Sequence, residues 1–179
     1  MKSFRWLLCV VVMALSTLAL AQSDAQKSFD ELKTLAGRWE GPVKVVPPMP
    51  EMNSNKPMDI TLKVTSRGNA LVHEMKEEGA SDDPTKADHP VTMFYLDQDR
   101  LLLTHYCDAG NRPRMVAKAS PDGKTVEFDF LDIAGSTKYG HMQHAVFTVI
   151  DANHHTEDWT FVMPGDKSIQ AHMDLRRVQ

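Results

Sequence analysis

From Arg38 to the end of the chain, apolar and polar residues alternate in short runs, and turn-forming residues separate these runs. A period of two places successive side chains on opposite faces of a strand, whereas Gly, Pro, Asn and Asp favour tight turns. The pattern therefore predicts an all-β meander. The turn signals are Arg67-Gly68-Asn69, Asp97-Gln98-Asp99, Gly110-Asn111, Pro121-Asp122-Gly123, Asn153 and Pro164-Gly165-Asp166.

The runs between these turns predict ten strands. A sheet of this many strands tends to curl, and closing it removes its exposed edges. We therefore expect an up-and-down antiparallel barrel of about ten strands. The predicted strands cover residues 38–46, 58–66, 70–78, 91–96, 100–107, 113–119, 124–133, 142–150, 156–163 and 167–178.

A short amphipathic helix is predicted before the first strand. Ser28-Phe29-Asp30-Glu31 has the form of a capping box, the apolar side chains of Phe29, Leu32 and Leu35 share one stripe, and Gly37 can end the helix. Successive connections of an up-and-down barrel alternate between its two ends. By this count the helix lies at the end with the tight turns, where its apolar stripe can plug the barrel.

The other end of the predicted barrel collects the long loops, and we call this end the mouth. A barrel that is plugged at one end and fringed by loops at the other is a cup with room for a small ligand. The long connections are Pro47–Pro57, Gly79–Pro90, Asp108–Arg112 and Ala134–His141.

The first twenty-one residues have the pattern of a secretory signal peptide. Lys2 and Arg5 precede the apolar run Trp6–Leu20, and Ala19-Leu20-Ala21 has the small residues that signal peptidase requires. An uncleaved anchor is the alternative, but the run is short against the roughly 20 residues that span a bilayer. We predict a signal peptide at residues 1–21, a polar leader at 22–27, a barrel domain at 28–179, and export to the periplasm or the cell exterior.

Charge and cysteine content limit the possible partners. The formal net charge is −4, and the predicted signal peptide contains two of the basic residues. This acidic balance disfavours binding to DNA or to an anionic membrane surface. Outside the signal peptide Cys107 is the one cysteine, so no internal disulfide is expected. We predict no nucleic-acid partner and no membrane span after cleavage; Cys107 is either an inert buried thiol or a ligand or redox group.

The segment Leu35-Ala36-Gly37-Arg38-Trp39-Glu40-Gly41 resembles the Gly-x-Trp motif of the lipocalin and fatty-acid-binding (calycin) superfamily. The ten predicted strands resemble its fatty-acid-binding and nitrobindin-like branches, and the whole is similar to uncharacterised lipocalin-like proteins that bacteria export. The resemblance implies a barrel that binds a small molecule. It also implies that Trp39 packs at the closed end beneath a cation of the last strand, Arg176 or Arg177, of which we assign Arg176.

The densest polar group of the chain falls at the predicted mouth. Strand parity directs His73, His105 and Cys107 into the cup, and an arginine there would hold a ligand carboxylate. We assign that role to Arg114 rather than Arg112, although Lys118 has the same parity and leaves an outer-facing position open. Aromatic side chains form one wall. The predicted ligand-binding residues are His73, His105, Cys107, Arg114, His144, Phe128, Phe130, Trp159 and Phe161.

The leading hypothesis is an exported lipocalin-like protein that binds a small apolar or amphipathic molecule without a cofactor. The first alternative is a haem or metal protein that uses His144, His172 or the His105/Cys107 pair. The second is a structural or interaction module with a filled barrel, in which the loop Pro47–Pro57 docks a partner. No catalytic motif is present in the sequence, so an enzyme is not expected.

Overall fold

The computed structural model of this protein describes residues 22–48 and 56–178. One α-helix and eleven strands follow each other within these residues, with a single 3-10 turn at Ser66–Gly68. They are α1 (Asp24–Thr34), β1 (Gly37–Gly41), β2 (Val43–Val46), β3 (Met58–Thr65), β4 (Ala70–Glu77), β5 (Val91–Asp97), β6 (Arg100–Tyr106), β7 (Arg112–Ala119), β8 (Thr125–Ala134), β9 (His141–Asp151), β10 (His154–Met163) and β11 (Lys167–Val178).

Ten of the strands form the closed antiparallel barrel that the alternation predicts. Neighbours in sequence pair from β3 to β11, and β1 closes the barrel because it pairs with β3 on one side and β11 on the other. Trp39 marks this closure, opposite Ile60 of β3 and Arg177 of β11. The fold class is thus confirmed.

The first predicted strand, residues 38–46, is divided into β1 and β2. Pro42 separates them, and proline has no N–H to donate to a sheet. β2 is the extra strand: it continues along β11 but does not pair with β3. At Gly41 the backbone of β11 is so close that a Cβ would lie 1.9 Å from the Asp174 carbonyl oxygen. Glycine is therefore required where β1 bends into β2.

Helix α1 covers the closed end of the barrel. Its buried residues include Phe29 and Leu32, and it packs against β3, β5, β6, β7 and β9. The helix begins at Asp24 with Ser23 as N-cap, whose Oγ accepts a hydrogen bond from the Gln26 N–H at 3.2 Å. The capping box at Ser28 therefore lies inside the helix, and the helix start that it predicted is wrong.

Side chains that face inward fill the barrel near α1. Phe94, Phe128 and Phe147 are fully buried there, with ring centroids 5.3–6.1 Å apart. Asn111 lies at the other end, where its Nδ2–H groups donate to the carbonyls of Ser136 and Gly140 and tie two mouth loops together. In the described residues, no helix has the length and apolar character to cross a membrane.

Candidate functional site

A cavity of about 600 Å³ opens at the mouth of the barrel. Most of its wall is apolar. Trp159 and Phe161 of β10 form one side. Val43 and Val45 contribute from β2, which pairs with β11 and not with β3. The flexible thioethers of five methionines complete much of the remaining wall: Met58, Met75, Met142, Met163 and Met173.

His105 of β6 is a polar group in the cavity wall. Its ring is 1% exposed, and its Nδ1 forms a hydrogen bond with the Thr92 hydroxyl at 2.9 Å. Nε2 has no hydrogen-bond partner within the described residues. Burial and then the nearby His73 lower the pKa of His105 to about 3, so the ring is neutral at pH 7. A neutral imidazole therefore borders the cavity, and its buried Nε2 lacks the hydrogen bond that such an atom normally makes.

A buried carboxylate lies next to the cavity, deeper in the barrel. The imidazole Nε2–H of His73 donates to both Glu157 oxygens at 3.0 Å, and His155 Nε2–H donates to Oε1 at 3.0 Å. Trp159 Nε1–H donates to Oε2 at 2.9 Å. Burial alone would raise the pKa of Glu157, but the charge and hydrogen bonds of the two histidines hold this pKa well below its usual range.

These groups connect the cavity to the closed end of the barrel. Trp159 belongs to the cavity wall and is also bonded to Glu157, and His155 contacts the ring of Trp39 edge-on with centroids 4.3 Å apart. Arg177 lies over the outer face of Trp39, with its guanidinium carbon 4.1 Å from the ring centroid. A polar and aromatic column thus runs beside the phenylalanine core and holds the Trp159 indole in position.

The rim of the cavity is acidic. Glu77, Asp88 and Asp108 line it, and none of the described lining residues is a lysine or an arginine. Glu77 forms an ion pair with Lys56 at 3.6 Å. The Asp108 backbone N–H donates to an Asp88 carboxylate oxygen at 3.1 Å, which joins the loop after β4 to the loop after β6.

Four of the predicted ligand-binding residues line the cavity: His105, Cys107, Trp159 and Phe161. Burial raises the pKa of the Cys107 thiol, which favours the uncharged form. His73 and Phe128 also point inward, but they are fully buried below the cavity. Phe130 contacts the ring of His141, with centroids 5.2 Å apart, and does not line the cavity.

The other predicted polar ligands lie on the outside of the barrel. The guanidinium of Arg114 forms an ion pair with Asp132, and this partner raises the pKa of the arginine. His144 is bonded to Glu127 at 3.0 Å, and His172 to Asp158 at 2.7 Å. The inward placement of Arg114 was wrong because β7 turns Met115 into the core, which leaves Arg114 and Lys118 facing solvent.

The cation over Trp39 is Arg177, so the assignment of Arg176 was wrong. Arg177 donates to the carbonyls of Thr34, Ala36 and Ala152, while Arg176 is exposed. The Gly-x-Trp motif requires glycine at position 37, because a Cβ there would lie 2.3 Å from an Arg177 guanidinium nitrogen. The glycine leaves the space through which the arginine reaches the indole.

Sequence reasoning missed Glu157 and His155. Glu157 has the parity of Trp159 and Phe161, so the alternation already places it inside the barrel. His155 was assigned to a turn, but β10 begins one residue before it and buries it completely. Asp88 was also missed, because it lies in a long loop where no periodicity indicates which way its side chain points.

One cluster of described residues has the geometry of a metal site, and it lies outside the cavity. Glu127, Asp129 and His144 each offer a ligand atom, and these atoms lie within 4.8 Å of one another. Lys118 forms an ion pair with Asp129 and supplies positive charge to the cluster. His144 is thus already hydrogen-bonded to Glu127, and Asp129 is already paired with Lys118.

Comparison with solved structures finds the fold again. The crystal structure of Rv2717c from M. tuberculosis matches with a TM-score of 0.62 and 12% sequence identity, over 85% of this chain and 98% of that chain. A protein of unknown function of the DUF3598 family from Nostoc punctiforme matches with a TM-score of 0.26 and 7% identity, over 84% and 99%. No family model and no curated protein matches the chain. The likeness to Rv2717c shows a shared fold.

Proposed function

We propose that this chain is an exported, lipocalin-like protein of the calycin type that binds a small apolar or amphipathic molecule in the mouth cavity. The observation that carries this proposal is an apolar cavity of about 600 Å³ lined by His105, a residue whose buried Nε2 has no partner within the described residues. An unsatisfied polar atom in such a place costs free energy, which a ligand with a hydrogen-bonding group recovers. The Ala21 cleavage site and the barrel domain at 28–179 belong to the same proposal.

The test uses a neutral apolar fluorophore, N-phenyl-naphthylamine, with the purified protein. We expect saturable fluorescence enhancement. Ala171 lines the cavity and Gln170, its neighbour on β11, is exposed on the other face, so the two residues form a matched pair. Ala171→Trp should abolish the enhancement by filling the cavity, whereas Gln170→Trp should retain it. Absence of saturable binding, or equal binding by both variants, would contradict the proposal. Circular dichroism checks that both variants are folded.

Haem binding is the second candidate, and His105 is the residue that favours it. A neutral imidazole nitrogen without a protein partner suits an iron ligand, and the iron would supply redox or gas-binding chemistry. His144 and His172, the other histidine candidates, face the outside of the barrel and are bonded to Glu127 and Asp158. The acidic rim offers no cation among the described lining residues to the two propionates, which ranks this candidate second.

Titration with haemin tests the second candidate. Ligation by His105 predicts a Soret shift that is lost in His105→Ala and kept in His172→Ala, the matched outer-face histidine. A spectrum that is the same with and without protein, or the same in both variants, eliminates ligation by His105.

A further inference from the structure

Asp88 and Asp108 give the mouth of the cavity negative charge. Neither carboxylate forms an ion pair within the described residues. Glu77, the third rim carboxylate, has Lys56 as a partner. Asp88 and Asp108 approach each other because the backbone N–H of one donates to the carboxylate of the other. Two adjacent carboxylates therefore line the cavity, and they also line a neighbouring pocket that contains Lys86 and His89.

The field of these carboxylates reaches the cavity wall. Partial burial and then the charge of Asp108 raise the pKa of Asp88. Burial raises the pKa of the Cys107 thiol first, and the charges of both aspartates add to that increase. Cys107 itself lines the cavity, so an anion placed there would meet the same repulsion as the thiolate.

A second, independent feature indicates that the space receives a ligand. His105 is 1% exposed, lines the same cavity and has no partner for Nε2. Its low pKa leaves the ring neutral at pH 7, so His105 does not offset the acidic rim. The only charges on the described lining are negative, and the remainder of the wall is mostly apolar.

We propose that the cavity selects amphipathic cations, molecules with an apolar body and an ammonium group, over amphipathic anions such as fatty acids. The apolar body lies against Trp159, Phe161 and the methionines, and the ammonium group lies at Asp88 and Asp108. This inference rests on the proposed function, since it specifies which class of small molecule the cavity takes.

The experiment measures displacement of N-phenyl-naphthylamine by three probes that share one chain and differ in charge. These are decylammonium and decanoate, each below its critical micelle concentration, and decanol below its solubility limit, all at pH 7 and low ionic strength. We expect decylammonium to displace the fluorophore at a concentration roughly tenfold below that of decanoate, because solvent reduces the net free energy of an exposed ion pair to about this ratio of affinities. Added salt should reduce the preference, since it screens exposed charges.

Variants of the two rim aspartates test the assignment. Asp88→Asn combined with Asp108→Asn should bring decylammonium and decanoate to within about twofold of each other. The new amide oxygen at position 88 can still accept the hydrogen bond from the backbone N–H at position 108, so the loop contact is retained. Asp108→Lys should make decanoate the better ligand. Glu31→Gln on α1 removes the same charge at the closed end and should leave the preference unchanged.

The outcomes separate the two proposals. If the fluorophore binds and decanoate displaces it as well as or better than decylammonium, the charge selection is overturned while ligand binding stands. A preference that survives in the double variant overturns the assignment to Asp88 and Asp108. If neither the fluorophore nor any probe binds, the proposed function fails, and the inference fails with it.

Discussion

Glu157 is a fully buried carboxylate whose two oxygens accept hydrogen bonds from His73, His155 and Trp159. Glu157→Gln keeps the shape but replaces one acceptor with an NH₂ donor that faces donors already in place. We expect the free energy of unfolding to fall by about 3 kcal/mol, as when a buried ion pair loses one partner. Chemical denaturation measures this, with Glu127→Gln on the outer face as a control that should cost less than about 1 kcal/mol. Equal losses in both variants would contradict the structural role of Glu157.

His105 should make the fold sensitive to acid. Its pKa is lowered from 6.5 to about 3, so between these values the unfolded chain binds a proton that the folded chain does not. The free energy of unfolding therefore decreases as the pH falls from 6.5 towards 3, with up to about 1.4 kcal/mol per pH unit from this group. Below pH 3 the His105 contribution to this slope ends.

Denaturation at a series of pH values tests the role of His105. His105→Gln should flatten the slope of stability against pH over that interval. His172→Gln, at an exposed site that is bonded to Asp158, should leave the slope close to that of the original chain. An unchanged slope in His105→Gln would show that other groups cause the acid sensitivity.

At the scale of elements, one arginine joins three parts of the closed end. Arg177 of β11 stacks on Trp39 of β1 and donates to carbonyls at the end of α1 and in the turn between β9 and β10. Arg177→Ala should lower the free energy of unfolding by about 2 to 3 kcal/mol, because a stacked cation and three charged hydrogen bonds are lost. Arg176→Ala, one residue earlier and exposed, should change it by less than about 0.5 kcal/mol. Thermal or urea unfolding distinguishes the two, and similar losses would contradict the role of Arg177.

The barrel consists of a filled half, which contains the phenylalanine cluster, and a hollow half at the mouth. Phe128→Ala in the filled half should cost about 4 kcal/mol of stability and leave fluorophore binding unchanged. Phe161→Ala in the cavity wall should cost about 1 kcal/mol, because that ring already borders empty space, and should weaken binding severalfold. Urea denaturation and fluorescence titration measure both quantities. The reverse ranking in stability would contradict the division of the barrel into two halves.

Much of the architecture could be predicted from the sequence because alternation and turn chemistry are local. The strand order, the helix at the closed end and the long loops at the mouth all follow from the order of periodic runs and turns. The inward direction of His105 and Trp159 follows from strand parity. The helix start was missed because a serine at either position can cap a helix, and in the structure Ser23 is the cap while Ser28 is buried within the helix.

The sequence by itself determined a barrel of alternating strands, its plugged end and the set of side chains that can face inward. Tertiary structure alone decided that the mouth half is hollow, that Arg114 pairs with Asp132 outside, and that Arg177 rather than Arg176 covers Trp39. It also brought Asp88 and Asp108 together from two loops. The physical reason is range: periodicity depends on neighbours along the chain, whereas cavity volume and ion pairing depend on which distant segments meet when the barrel closes.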